Sequence, residues 1–523
     1  MSGKEHAELD RRQVLKTAAV SSLSALAGSL AGTVRHAAAG QAEQAERDSS
    51  PVQRENEKPG VRDWQLTRVR INRGKYRTSL IDGYCSHQSI AAGETLSICV
   101  STEPARRFTI DIYRMGWYGG AGARHMTTLG PLTGKTQAVP EMGPAPARLC
   151  ECRWEPSAKL RIPGDWMSGV YLGKLTTISE SKSEPYWQSY VVFIVRDDRP
   201  ADILFQCSDN TWQAYNRWPV NESLYTHPDG AHAPGVSVSF DRPYGKYTQI
   251  VDAALSVGSG EFLLWEFPLC YWLERHGYDV TYGSNCDTID SSFLNRCRVF
   301  LSVGHDEYWD LRQYQAAEAA INAGVNFLWL SGNSVYVVSP FTPASGGRPK
   351  RIITRTGSYG PLRDDELASY KDLFTGLTDK GPDERNIIGA RSVVPFNGGG
   401  DWTCVKPDHW IFAGTGMKHG ESIPGLVGWE HHGEPDPDRK GLEVLAEGSV
   451  WAGGTREGRY SATIFPGPKG NFVFNAATIF WSQGLSTPPG HILPWSHWSR
   501  PHGPDERVQR ITHNLLRRAV LSS

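Results

Sequence analysis

Residues 301–311, LSVGHDEYWDL, set His305, Asp306, Glu307 and Tyr308 directly after a short apolar run that ends in Gly304. An imidazole, two carboxylates and a phenol at consecutive positions can bind a metal ion or move protons. Other polar side chains that could join them follow independent apolar runs. Tyr215, Tyr225, His227 and Asp229 come after ADILFQCS, Asp287 after YDVTY, and Asn333 after VNFLWL. Each run reads as a buried strand, and in an open parallel sheet ligands bind beyond the carboxyl ends of the strands. Fold reasoning therefore sends all these residues to one rim. A plainer reading stays open at this level. Asp306 can be the N-cap of the following helix, with Glu307 in its first turn, where an acidic residue suits the helix dipole. His305 can be a satisfied hydrogen-bonding residue, and Tyr215 and Tyr225 can be core aromatics.

The elements that must position this rim are strands alternating with helices. CRVFLSV, EYWDLRQYQAAEAAINAG and VNFLWL form a strand–helix–strand unit, the helix closed by Gly324. GEFLLWEFPLCYWLERHG predicts a helix ending at Gly277, GNFVFNAATIFW a further strand, and DERVQRITHNLLRRAVL a closing amphipathic helix. Such alternation predicts an α/β domain with a mainly parallel sheet over residues 199–523. Residues 340–400 are Gly-rich and read as long loops. Before it, residues 63–198 carry short runs such as RFTIDIYRM and YVVFIV separated by Gly/Pro-rich turns, which predicts an antiparallel β-sandwich ending at RDDRPA. Residues 40–62 are polar, charged and without periodicity, and read as a disordered leader.

The 523 residues suffice for two domains, and a composition of 39% hydrophobic and 21% charged residues is that of a globular chain. A formal net charge of −1 argues against nucleic acid as a partner, since phosphate contacts need concentrated Lys and Arg. The first 39 residues, with paired Arg11 and Arg12, a mild apolar run and Ala37–Ala39, resemble a twin-arginine export signal cleaved after Ala39. The expected location is therefore extracytoplasmic, with no stable membrane anchor after cleavage. Nine cysteines include no CxxC pair and no zinc spacing, and their pairing is not readable. The chain lacks a G-x-S-x-G or G-x-C-x-G nucleophile elbow, a P-loop and a GxGxxG fingerprint. Cys207 reads as a structural thiol. Glu430, His431, His432 and Glu434 in WEHHGEPDPD are a poor self-contained metal site, because adjacent histidines diverge along an ordinary backbone.

TWQAYNRW, SLYTHPDG, SVGHDEYW, FLWLSGN and FNAATIFWSQGL, taken in order over residues 65–500, resemble the large (beta) subunit of N,N-dimethylformamidase and its relatives. The resemblance implies a second domain similar in fold to class I glutamine amidotransferases but without their cysteine nucleophile. It implies a mononuclear iron, ferric in character, held by Tyr215, Tyr225 and Glu307, with His305 positioning or deprotonating water and Glu430 as a further catalytic carboxylate. Phenolate and carboxylate oxygens are hard donors suited to such an ion, and three protein ligands leave positions open. The implied activity is hydrolysis of a C–N bond in a small-molecule amide. The family's large chain pairs with a separate small subunit. Nothing in this sequence shows that partner, and a homo-oligomer is the alternative. The competing reading is a secreted, non-catalytic protein that binds a glycan or cell-surface component; metal content separates the two.

Overall fold

The computed structural model describes residues 49–181, 184–228, 235–362, 373, 376–493 and 503–521. The paired arginines, the apolar run after them and Asp229 lie outside these residues.

The first two sheets come from the short strands before residue 198. Ser89–Ala91, Gln188–Arg196, Gly169–Thr177, Arg107–Met115 and Ala123–Thr133 form a five-stranded sheet in that order. Asp82–Cys85, Thr95–Ser101 and Ala158–Arg161 form a three-stranded one. Phe108, Ile110 and Ile112 alternate along one strand, so all three side chains reach the same face. They pack there with Ile98, Val100, Leu175 and Phe193 from both sheets. Pairing is antiparallel except that Ser89–Ala91 runs parallel to its neighbour.

The third sheet has nine strands and is mixed. Val280–Ser284, Ala201–Cys207, Cys297–His305, Asn326–Gly332 and Phe472–Asn475 are parallel neighbours in that spatial order. Arg456–Pro466, Glu443–Ala452, Gly398–Thr403 and Ser422–Trp429 continue it antiparallel. The expected mainly parallel sheet is thus only one half of the observed one. Long hairpin strands in the region after residue 398, rich in Gly and charged residues, gave no clean alternation, yet they pair edge to edge. Residues 340–400, read as loops, likewise hold short paired strands such as Ile352–Thr354 and Gly357–Tyr359.

In the parallel half the strand at 201–207 lies between those at 280–284 and 297–305. The connection direction reverses there, which opens a crevice at the carboxyl ends of the 201–207 and 297–305 strands. The helix Leu311–Ala323 is capped by Asp310, whose carboxylate accepts from the Arg312 amide at 2.8 Å, and ends at Gly324 with φ 111°. Asp306 is therefore not the N-cap. Tyr308–Trp309 pair with Val337–Val338 before the helix begins, so the chain stays extended for four residues beyond His305.

Pro51–Asn56, expected within a disordered leader, form a short helix opened by a Ser50/Gln53 capping box. Two of its polar side chains, Glu55 and Asn56, are buried partners. Asn56 Nδ2 donates to Glu274 at 2.8 Å, and Asn56 Oδ1 accepts from the Trp117 and Tyr118 amides. Composition cannot distinguish such residues from solvated ones. Glu274, on the helix Phe267–Arg275, also forms a fully buried pair with Arg114 of the five-stranded sheet, Nη2 to Oε1 at 2.8 Å. Residues 50–523 make one compact unit, and all nine cysteines are buried with free thiols.

Removing one member of a buried pair strands the other charge. Arg114→Met is expected to cost about 3–5 kcal/mol in urea denaturation, and Arg114→Met with Glu274→Gln distinctly less.

Candidate active site

The crevice brings together residues from separate strand ends. Ala201–Cys207 leads into the helix Asp209–Tyr215, which delivers Tyr215. The Leu224 amide donates to the Ala214 carbonyl at 2.9 Å, which holds Tyr225 beside Tyr215. Their rings stack at 4.4 Å. Cys297–His305 ends at Gly304, with φ 70°, where a Cβ would lie 2.7 Å from Trp265 Cβ. Only glycine satisfies both conditions, and the turn it allows brings Glu307 to the cavity wall, with His305 behind it and not on the wall.

Glu307 is the meeting point. Its Oε2 accepts from the Tyr215 hydroxyl at 2.9 Å and its Oε1 from the Tyr225 hydroxyl at 2.7 Å. The Tyr308 hydroxyl donates in turn to that of Tyr225. The Glu307 amide donates to Thr211 Oγ1 at 3.0 Å, and its carbonyl accepts from the Tyr336 amide at 2.9 Å. His305 Nε2 is 3.2 Å from Glu307 Oε2 but is not aligned for a hydrogen bond to it. Burial, and then the negative Glu307, push the phenols of Tyr215 and Tyr225 well above the ordinary value for tyrosine.

A cavity of about 260 Å³ stands over this cluster, walled in part by Tyr215, Tyr225, Glu307, Asn333, Trp429 and Glu430. Glu430 is 4% exposed and its Oε2 has no partner among the described residues. Burial, and then Glu307, push its carboxyl well above the usual carboxylate range. Gly332 lets its segment approach, since a Cβ there would lie 2.3 Å from the Glu430 carbonyl oxygen. His432 fixes the same segment. Its Nε2 accepts from the Ser334 amide at 2.9 Å, and its Nδ1 faces Asn475 Oδ1 at 2.8 Å. His305 sits behind Glu307, against the Tyr215 ring at 5.3 Å.

The donor set suits a hard cation. Two phenol oxygens already address both oxygens of one buried carboxylate, and a cation between them would displace the phenolic protons. Among the described residues no group of three or more His, Cys, Asp and Glu side chains could hold a metal ion, so this set depends on its tyrosines. Cys207 is fully buried beside the helix that carries Tyr215. Burial drives its thiol far upward, the opposite of an activated nucleophile.

Of the remaining rim residues, Asn333 lines the cavity, whereas His227 and Asp287 do not. His227 faces Met142 and Arg148, and Asp287 accepts from the Ser284 amide and pairs with Arg196. Sequence reasoning missed Gln249, Arg217 and Arg355 on the wall and Glu261 beneath them, which accepts from Gln249 at 2.7 Å. Arg217 lies within TWQAYNRW and Arg355 directly follows the short strand Ile352–Thr354, but residue type and spacing mark none of the four as lining a cavity.

Residues 109–494 match the family model described as N,N-dimethylformamidase beta subunit-like, C-terminal, and the chain belongs to that family. No curated protein matches it. Among solved structures, a family 123 glycoside hydrolase from Clostridium perfringens, studied for glycolipid glycan hydrolysis, is 9% identical with a TM-score of 0.11. That match covers 55% of this chain and 50% of the other; the chain spans half of that enzyme's length, and a likeness this low carries neither fold nor activity across.

Asp306 underpins the site. Its carboxylate accepts from Gln206 at 2.6 Å, Ser302 at 2.9 Å and Asn285 at 3.0 Å. Burial still pushes it up to about 6 from 3.8, against those donors. Between these values the folded chain keeps a proton that the unfolded chain has released. The stability this residue contributes is therefore full below 3.8 and is lost as pH rises through about 6. The deficit of an Asp306→Asn variant against the parent chain should widen by up to about 3 kcal/mol as pH falls from 7 to 4. Parallel urea titrations across that range check it; a constant gap would contradict it.

Proposed function

We propose that this protein hydrolyses a C–N bond in a small-molecule amide at a mononuclear iron held by Tyr215, Tyr225 and Glu307. The observation that carries the reading is the seating of both phenols on the two oxygens of buried Glu307, under a cavity of substrate size. The family supports it. When bound, the ion supplies Lewis-acid chemistry toward an amide carbonyl and acidifies water.

The chain's own residues do the rest. Stacking of Tyr215 on Tyr225 and the burial of Glu307 keep the three donors in one orientation. His305 takes a proton from the attacking water, and the new C–O bond forms at the amide carbon. Glu430, whose carboxyl burial pushes well above the usual carboxylate range, delivers a proton to the departing nitrogen as the C–N bond breaks. The products are a carboxylic acid and an amine, which ionise to carboxylate and ammonium by passing one proton from acid to amine, and proton return from His305 to Glu430 through water restores the site. The reading includes an exported protein, on the residues resembling a twin-arginine signal, and a parallel half-sheet of glutamine amidotransferase type. Among the described residues no helix is long and apolar enough to cross a membrane.

Elemental analysis and a visible spectrum on protein from its native export route test the proposal. About one iron per chain with a tyrosinate-to-iron band is expected, and Tyr225→Phe should abolish the band and lower amide turnover by at least about 100-fold. Protein that stays metal-free after reconstitution with iron overturns the reading.

A further inference from the structure

We propose that the cavity over Glu307 takes a small amide that also carries a carboxylate, with the anion seated against Arg355 and Arg217. The proposal rests on the amide-hydrolase reading and narrows its substrate class.

Six arginines are buried among the described residues: Arg77, Arg114, Arg242, Arg351, Arg355 and Arg391. Arg77, Arg114, Arg351 and Arg391 pair with Asp82, Glu274, Asp241 and Glu384. Arg242 has no carboxylate partner, but it spends its donors on Gln213 Oε1 and on the carbonyls of Gln213, Asn216, Trp218 and Glu222. Arg355 alone has neither arrangement. It is 2% exposed, its Nη1 donates to the Leu224 carbonyl at 2.8 Å, and its Nε has no partner among the described residues. The Tyr308 phenol is its other polar neighbour. A guanidinium removed from water without a counter-charge is costly, and this one lines the cavity.

Arg217 lies on the same wall. Its Nη1 donates to the Tyr76 hydroxyl at 3.1 Å and its guanidinium stands 5.4 Å over the Tyr76 ring. It too has no carboxylate partner among the described residues. Neutral hydrogen bonds and a ring face orient this cation without neutralising it, which leaves it available to an anion. Elsewhere on the wall Asn333 Oδ1 and Glu430 Oε2 are buried and unpartnered. The wall therefore offers cations for a carboxylate and, at Asn333 Oδ1, an acceptor for an N–H. A cavity of about 260 Å³ has room for on the order of ten heavy atoms, scaling from the ~150 Å³ that takes benzene. An N-acylated amino acid or a half-amidated dicarboxylic acid has that size and those groups.

The test is calorimetric binding of a matched pair, N-acetylglycine and its neutral amide N-acetylglycinamide, to the full chain with and without iron. The anion is expected to bind at least about tenfold more tightly than the neutral probe. Arg355→Gln and Arg217→Gln should each bring the ratio toward one; the second alters a partly buried residue and guards against a folding defect in the first. Equal binding of the two probes, or a preference unchanged in both variants, overturns the proposal. Anion-selective binding with no amide turned over would sink the hydrolase reading and leave the anion site standing. Turnover of neutral amides without anion selectivity would do the reverse.

Discussion

One buried carboxylate with a phenol on each oxygen organises this molecule. Glu307 is 2% exposed, and an isolated carboxylate at that depth is costly unless its lone pairs are met by donors. Tyr215 and Tyr225 meet them from one side, and the Thr211 hydroxyl and the Tyr336 amide tie down the backbone. These groups come from three segments, the helix Asp209–Tyr215, the turn at Tyr225 and the stretch at Tyr336, so the carboxylate is satisfied only when several strand ends are in register. The parallel half-sheet, the reversal beside Ala201–Cys207 and the positive φ of Gly304 are the means by which that register is reached.

The antiparallel half of the large sheet completes what the parallel half begins. Ser422–Trp429 ends in Trp429, held at φ 46°, and the chain then turns Glu430 onto the cavity wall. A non-glycine residue in that region stores strain that its surroundings must offset. The offset is visible in His432, which spans the Ser334 amide and Asn475 with its two ring nitrogens. Burial lowers this imidazole to about 4, so it remains a neutral strut that joins the two halves across Asn326–Gly332 and Phe472–Asn475.

The buried parallel strands were legible because each is an unbroken apolar run, and their polar followers were legible because chain direction alone puts them on one rim. That is how Glu307, Tyr215, Tyr225 and Asn333 could be singled out together. Asp306 could pass for a helix cap in the plainer reading because one acid before a helical period looks like another. The cap is Asp310, and only the pairing of Tyr308–Trp309 with Val337–Val338 reveals the delay. The helix Pro51–Asn56 and the hairpins after residue 398 were hidden for a shared reason. Their burial is of polar or glycine-rich surface, which hydrophobic period does not register. Arg217 and Arg355 were invisible for a different one: what marks them is the lack of a carboxylate partner among the described residues, a property of space and not of spacing.

The nine buried thiols bear on when this chain can finish folding. Each cysteine occupies its place as a small apolar side chain, in cores built by neighbours such as Trp154 and Trp218 around Cys99, Cys150 and Cys152. No covalent cross-link has to form before these cores close, so folding makes no demand on an oxidant. Assembly of the nine-stranded sheet and of the crevice at its edge can run to completion in a reducing environment. The finished interior keeps all nine thiols buried.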